Sequence, residues 1–140
     1  ADVLISNHAL EHVHCPYDAL SKLFEKLRPG GKAIFVIPCE SYKRSYVDND
    51  IDQHMYTWAP RNLGNLFKLI GFKILECGPF IHTWPPHYRG IARVFGRRGF
   101  EIACRVYGWL KRDIVQVRII ASRPELSSAP ELKTSPPLGH

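Results

Sequence analysis

Asp2-Val-Leu-Ile-Ser-Asn-His-Ala-Leu-Glu-His-Val13 and, farther on, Leu27-Arg-Pro-Gly-Gly-Lys-Ala-Ile-Phe-Val-Ile-Pro38 are the stretches that decide the fold. Val3 to Ser6 is a nearly continuous apolar run, the pattern of a parallel strand covered on both faces, and it predicts a central strand. Pro16 and Asp18 suit a helix start, and Leu20, Leu23, Phe24 and Leu27 recur at helical spacing, forming one stripe that would pack on a sheet. Pro29-Gly30-Gly31 ends that helix, because proline cannot continue it and glycine reaches positive φ freely. Ala33 to Ile37 then reads as a second strand, set parallel to the first by a right-handed crossover. Strand, loop, helix, turn and strand make a βαβ unit, so the expected class is α/β.

Working outward, Cys39 to Tyr56 is polar and aromatic without a clean period, which predicts a long loop at the carboxyl end of a strand, where function usually sits. Thr57 is the expected N-cap of the next helix, with Pro60 in its first turn, Leu63, Leu66, Phe67 and Ile70 on one face and Gly71 as its stop. Phe72 to Cys77 follows as a third parallel strand, and Pro79 to Pro86 is turn-rich. His87 to Phe95 and Phe100 to Leu110 read as two helices separated by Gly96-Arg-Arg-Gly99, the second with Ala103, Val106, Tyr107 and Leu110 as its core face. Asp113 to Ser122 is the last strand, with Val115, Val117, Ile119 and Ala121 on one side. The domain is expected to span 1–123 with a helical insertion at 87–112, and the Ser- and Pro-bearing residues 124–140 to be a disordered tail.

At 140 residues, 45% hydrophobic and 23% charged, the chain has the size and composition of one globular domain. No apolar run approaches the roughly 18 residues of a membrane span. The chain opens at Ala1 directly in a strand and is expected to be cut from a longer one. Cys15, Cys39, Cys77 and Cys104 form no CxxC pair, which argues against a disulfide or zinc-finger framework and for a reducing cytoplasm. The formal charge of +6 is concentrated: residues 1–87 balance nine Lys/Arg against nine Asp/Glu, whereas residues 88–123 hold nine against two.

Leu10-Glu11-His12 after the first strand and Pro29-Gly30-Gly31 before the second resemble class I S-adenosylmethionine-dependent methyltransferases, of the Leu-Glu-His and Pro-Gly-Gly group that is type 11-like. The likeness falls on the C-terminal half of that domain, a partial Rossmann-like sheet, and covers roughly residues 1 to 77, including the helix before Gly71-Phe72. It implies that the last strand runs antiparallel between its two predecessors. It further implies that the parent protein transfers a methyl group from S-adenosylmethionine to a small-molecule or lipid-like acceptor. Positioning would supply most of the rate there, since the sulfonium is already an activated leaving group. By the same resemblance Asn7, His8, Ala9 and Leu10 line the methionine part of the cofactor; Glu11 and His12 match its Leu-Glu-His element and are read as bonding the loop and capping the following helix, against the alternative of direct cofactor or substrate contact. The family's glycine-rich loop and its ribose-binding acidic residue have no counterpart in this sequence. The 140 residues alone are therefore expected to bind the cofactor weakly or not at all.

His8, His54 and Tyr56 are candidate general bases, because a hydroxyl acceptor must lose a proton as it takes the methyl group. Tyr42, Tyr46, Tyr56 and Trp58 suit either a planar acceptor or one another. His8, His12, His14 and Cys15, completed by His54 or His82, offer metal-ligating groups, yet no carboxylate or cysteine pair sits at ligand spacing and no metal is expected. Arg89, Arg93, Arg97, Arg98, Arg105, Lys111 and Arg112 suit an anionic partner, nucleic acid or a lipid surface, against the plain alternative of a solvated helix face. Arg89 and Arg93 share a helix face near Ile91 and Phe95, as an interfacial helix would require. The competing function is a non-catalytic binding module that docks an anionic partner through these helices. A short-chain dehydrogenase is set aside, because Tyr42-Lys43 lacks the four-residue spacing of its Tyr and Lys. Half a sheet would leave a strand edge unpaired, so a dimer or poor solubility is expected.

Overall fold

Apolar side chains at helical and strand periods sort this chain into a sheet with two helices laid on one face. The computed structural model describes residues 1–40, 45–111 and 115–125. Tyr42, Lys43, Arg44, Arg112, the expected start of the last strand at Asp113 and the expected tail from Leu126 lie outside the described residues. Within them run β1 (Val3–Asn7), a 3-10 turn (Leu10–His12), α1 (Pro16–Lys26), β2 (Lys32–Cys39), α2 (Pro60–Ile70), β3 (Lys73–Phe80), α3 (Tyr88–Leu110) and β4 (Val115–Ser122). The strand order is β1-β2-β4-β3, with β1 parallel to β2 and β4 antiparallel to both of its neighbours. β3 therefore runs parallel to β2, and the inserted antiparallel strand is the one that the resemblance implies.

One face of the sheet carries the core. Ala33, Phe35 and Ile37 of β2 and Val117, Ile119 and Ala121 of β4 are buried beneath Leu20 and Leu27 of the α1 region and Leu63 and Phe67 of α2. The T-shaped contacts of Phe67 with Phe35 and of Phe24 with Phe72, at 5.3 and 4.8 Å, tie α2 to β2 and α1 to the turn that precedes β3. Gly71, at φ 112°, ends α2 in the left-handed conformation as expected. The thiol of Cys77 donates to the Pro60 carbonyl at 3.2 Å, tying β3 to the start of α2, and burial pushes that thiol and the thiol of Cys104 above their ordinary range.

Several expectations are corrected. The first strand is not central here: β1 is an edge of the described sheet, with Val3 and Ile5 51% and 74% exposed on the face that bears no helix. The α2 cap is not Thr57 but Ala59, whose backbone N–H donates to Asn62 Oδ1 at 2.8 Å, while the Thr57 hydroxyl instead accepts from Glu40 N at 2.9 Å. β3 extends past Cys77 through Pro79, which is compatible with its place at the sheet edge, and carries a register shift between Ile74 and Glu76. The expected pair of basic helices is present as two segments of α3 that part at Gly96 (φ 63°, ψ −170°), but the break is shorter than expected, since Arg97, Arg98 and Gly99 are already helical. Its inward face is also rotated from the expected one: Cys104 and Gly108 are buried, whereas Val106 and Leu110 are exposed. α3 meets the rest of the chain through the Thr83 N–H donating to the Cys104 carbonyl at 3.3 Å, and through a ring cluster of His82, Trp84, Tyr88 and Phe100. No helix among the described residues is long and apolar enough to cross a membrane.

Candidate active site

Parallel strands bring their carboxyl ends to one edge, and the loops that leave them form the natural place for a site. Asn7, the last residue of β1, pairs in register with Val36, and the next amide, His8 N–H, donates to the Val36 carbonyl at 2.9 Å. His8 sits at φ 50°, a left-handed conformation that L residues hold at a cost, so the chain breaks sharply from the strand at this point. Ala9 follows, and the 3-10 turn then buries Leu10 and Glu11 and leaves His12 at the surface.

The turn is held from the opposite side by the long loop after β2. The Glu11 carbonyl accepts from the amides of Met55 and Tyr56 at 3.0 and 3.3 Å, and the Tyr56 hydroxyl donates to the His14 carbonyl at 2.9 Å. His54 Nδ1 lies 2.7 Å from Glu40 Oε1, while its ring meets the His12 ring edge-on with centroids 5.0 Å apart. The segment after β1 and the tip of β2 are thus side by side. The loop meets Glu11 through its backbone carbonyl and His12 through its ring, and neither residue caps α1: the N-cap is Cys15, with no side-chain cap bond. A hydrogen bond to the Asp18 side chain pushes the Cys15 thiol up.

Two cavities open on this edge. One, of about 330 Å³, is lined by Asn7, His8 and Val36 together with Phe80, His82 and Gln116 from the ends of β3 and β4. The other, of about 820 Å³, lies over the loop, with Glu40, Tyr46, Asn49 and His54 among its lining. The three candidate bases are therefore divided: His8 borders the smaller cavity, His54 the larger, and Tyr56 has its hydroxyl committed to a carbonyl. The aromatic set is also split. Tyr56 and Trp58 pack at 5.8 Å, whereas Tyr46 is 90% exposed and donates to Asp48 at 3.3 Å.

Sequence reasoning missed Glu40 as the partner of His54, and Phe80, His82 and Gln116 as lining. The strand order would have found the last three: once β4 lies between β2 and β3, its first residues and those that close β3 must reach the same edge. Among the suggested metal ligands, His12 and His54 do come within reach of each other, joined by Glu11 rather than by His14 or Cys15.

No curated protein sequence matches the chain. Solved structures do match, with sequence identities that speak to the fold alone. The [4+2]-cyclase SpnF matches with a TM-score of 0.54 at 20% identity over 89% of this chain and 50% of its own. Burkholderia thailandensis 1,6-didemethyltoxoflavin-N1-methyltransferase, solved with bound 1,6-didemethyltoxoflavin and S-adenosylhomocysteine, gives 0.55 at 16% over 89% and 44%. Haemonchus contortus phosphoethanolamine N-methyltransferase 2, solved with S-adenosyl-L-methionine, gives 0.51 at 15% over 89% and 33%. The chain thus spans between a third and a half of the length of these neighbours. A protein-family model described as a methyltransferase domain matches residues 1–77, more than half of the sequence. With strand order, loop placement and this match in agreement, the chain belongs to the methyltransferase-domain family, whose class I members take S-adenosylmethionine as methyl donor.

Proposed function

We propose that this chain supplies one wall of an S-adenosylmethionine-dependent methyl-transfer site, and that the protein containing it methylates a small-molecule or lipid-like acceptor. The observation that carries the reading is the junction of the β1 and β2 ends, made by His8 N–H on the Val36 carbonyl. Asn7, His8, Ala9 and Leu10 are assigned to the methionine side of the cofactor: the chain breaks from the sheet at His8, and Asn7 and His8 line the smaller cavity. Phe80, His82 and Trp84 give that cavity an aromatic wall suited to a planar or apolar acceptor. His8 is the proposed proton acceptor, ahead of His54, whose Nδ1 is held by Glu40, and of Tyr56, whose hydroxyl is held by His14. Residues 1–123 then form the carboxyl-terminal part of the domain, with 87–112 an added helical arm. The adenosine side would be completed by a segment bearing a glycine-rich loop. Four free thiols fit a reducing compartment, here the cytoplasm.

Titration with S-adenosylhomocysteine tests this reading. The 140 residues alone should show no saturable binding in the micromolar range, and a chain extended by the residues encoded before Ala1 should bind there, more weakly after Asn7→Ala. Micromolar binding by the 140 residues, or none by the extended chain, would overturn it.

A second reading rests on the two segments of α3, which carry Arg89, Arg93, Arg97, Arg98 and Arg105 with exposed Val94, Phe95 and Ile102 and with Glu101 as the lone acidic residue. Such a helix suits an anionic bilayer surface. Co-sedimentation with phosphatidylserine vesicles that is unaffected by Arg97→Glu and Arg98→Glu would remove this reading.

A further inference from the structure

The Glu11 side chain is fully buried, and neither of its carboxylate oxygens has a hydrogen-bond partner among the described residues. Leaving a carboxylate in that state costs several kcal/mol, so something positive belongs beside it. Two imidazoles are the nearest charged candidates, His8 Nδ1 at 3.8 Å and His12 Nε2 at 3.9 Å from Glu11 Oε1, both too long for a hydrogen bond. A protonated histidine would therefore answer the charge without satisfying the oxygens.

A third imidazole completes a different pattern. Ligand atoms of Glu11, His12 and His54 all lie within 4.8 Å of one another. His54 Nδ1 is bonded to Glu40 Oε1 at 2.7 Å, which fixes the ring and leaves Nε2 as its ligand atom. A carboxylate behind a histidine is the outer support that metal-ligating imidazoles almost always have. Metal–nitrogen and metal–oxygen bonds of about 2.0–2.2 Å put neighbouring ligand atoms about 3–3.6 Å apart, so small side-chain rotations would close this set around one ion.

We propose that Glu11, His12 and His54 bind a divalent transition-metal ion of the zinc type, with Glu40 as the positioning residue behind His54. Two imidazoles and one carboxylate favour such an ion over magnesium or calcium, which take oxygen ligands. Three protein ligands leave at least one coordination position open, and His54 and Glu40 also line the 820 Å³ cavity, so the site borders a space able to hold a small molecule. The ion would also clamp the turn after β1 to the loop after β2. This inference does not rest on methyl transfer, and it revises the expectation of no metal: the sequence reading takes His12 and His54 together as candidate ligands, but spacing along the chain gives no hint that the Glu11 carboxylate is buried beside both.

Titration of the metal-free 140-residue chain with cobalt(II), read by its visible ligand-field absorption, is the test. One equivalent should bind and be displaced by zinc, and zinc should raise the melting temperature. His54→Ala and Glu11→Gln should each weaken binding by tenfold or more, with the zinc-induced shift lost in His54→Ala. Glu40→Gln should weaken it by about tenfold, and His14→Ala should leave it unchanged. Absent saturable cobalt binding, binding that survives His54→Ala, or a melting shift produced by magnesium but not by zinc would each overturn the proposal. Should Glu11→Gln fail to fold, the comparison of wild type with His54→Ala decides alone.

Discussion

Arg123 shows how one side chain joins distant parts of this fold. Its Nη1 donates to the carbonyls of Phe24, Glu25 and Leu27 at 3.2, 3.0 and 2.8 Å, groups that the end of α1 leaves without intrahelical partners, and its guanidinium lies 5.0 Å from the centroid of the Phe24 ring. Arg123→Ala should therefore lower stability by about 1–2 kcal/mol, seen as a lower urea midpoint at unchanged slope. Arg123→Lys should recover only part of the loss, since an ammonium can reach the carbonyls but cannot lay a planar guanidinium against the Phe24 ring. In the sequence Arg123 is one more cation in a basic stretch, and only the fold reveals that it closes a helix nearly a hundred residues away. Glu11 is a similar case: the Leu-Glu-His element marks the family, but nothing in its spelling indicates that the glutamate is withdrawn from water while the histidine is not.

At the level of elements, legibility followed periodicity. α1, β2 and α2 were readable because bulky apolar residues mark their buried faces, as Leu20, Leu27, Phe35, Leu63 and Phe67 do. α3 was misread for the converse reason. Its inner face is made by small residues, Cys104 and Gly108, that let the helix approach closely, and its large apolar residues point outward. A Cβ at Gly108 would stand 2.7 Å from Ile81 Cγ2 and 3.2 Å from Thr83 Oγ1. Gly108→Ala should thus displace α3 and destabilise by about 1–3 kcal/mol, overriding the better helix propensity of alanine. Faster proteolysis within residues 88–110 at unchanged far-ultraviolet dichroism would register that displacement. The loop between β2 and α2 was legible as a loop, but its pairing of Glu40 with His54 was not, because contacts between irregular segments leave no period to read.

For the molecule as a whole, the exposed flank of β1 is the dominant feature. Val3 and Ile5 present apolar surface beside backbone groups with no neighbouring strand among the described residues, a combination that invites a second chain. Sedimentation should show concentration-dependent self-association, reduced by Ile5→Lys, a substitution at a position 74% exposed that leaves the buried face intact. A monodisperse monomer at all concentrations would contradict this. The opposite margin behaves differently. β3 carries Pro79, which has no amide hydrogen to offer, and a register irregularity after Ile74, so it makes a poor template for a further strand. A pair of copies joined along β1 would therefore expose a blunt margin at each end, and growth would terminate at two chains rather than propagate into a fibre.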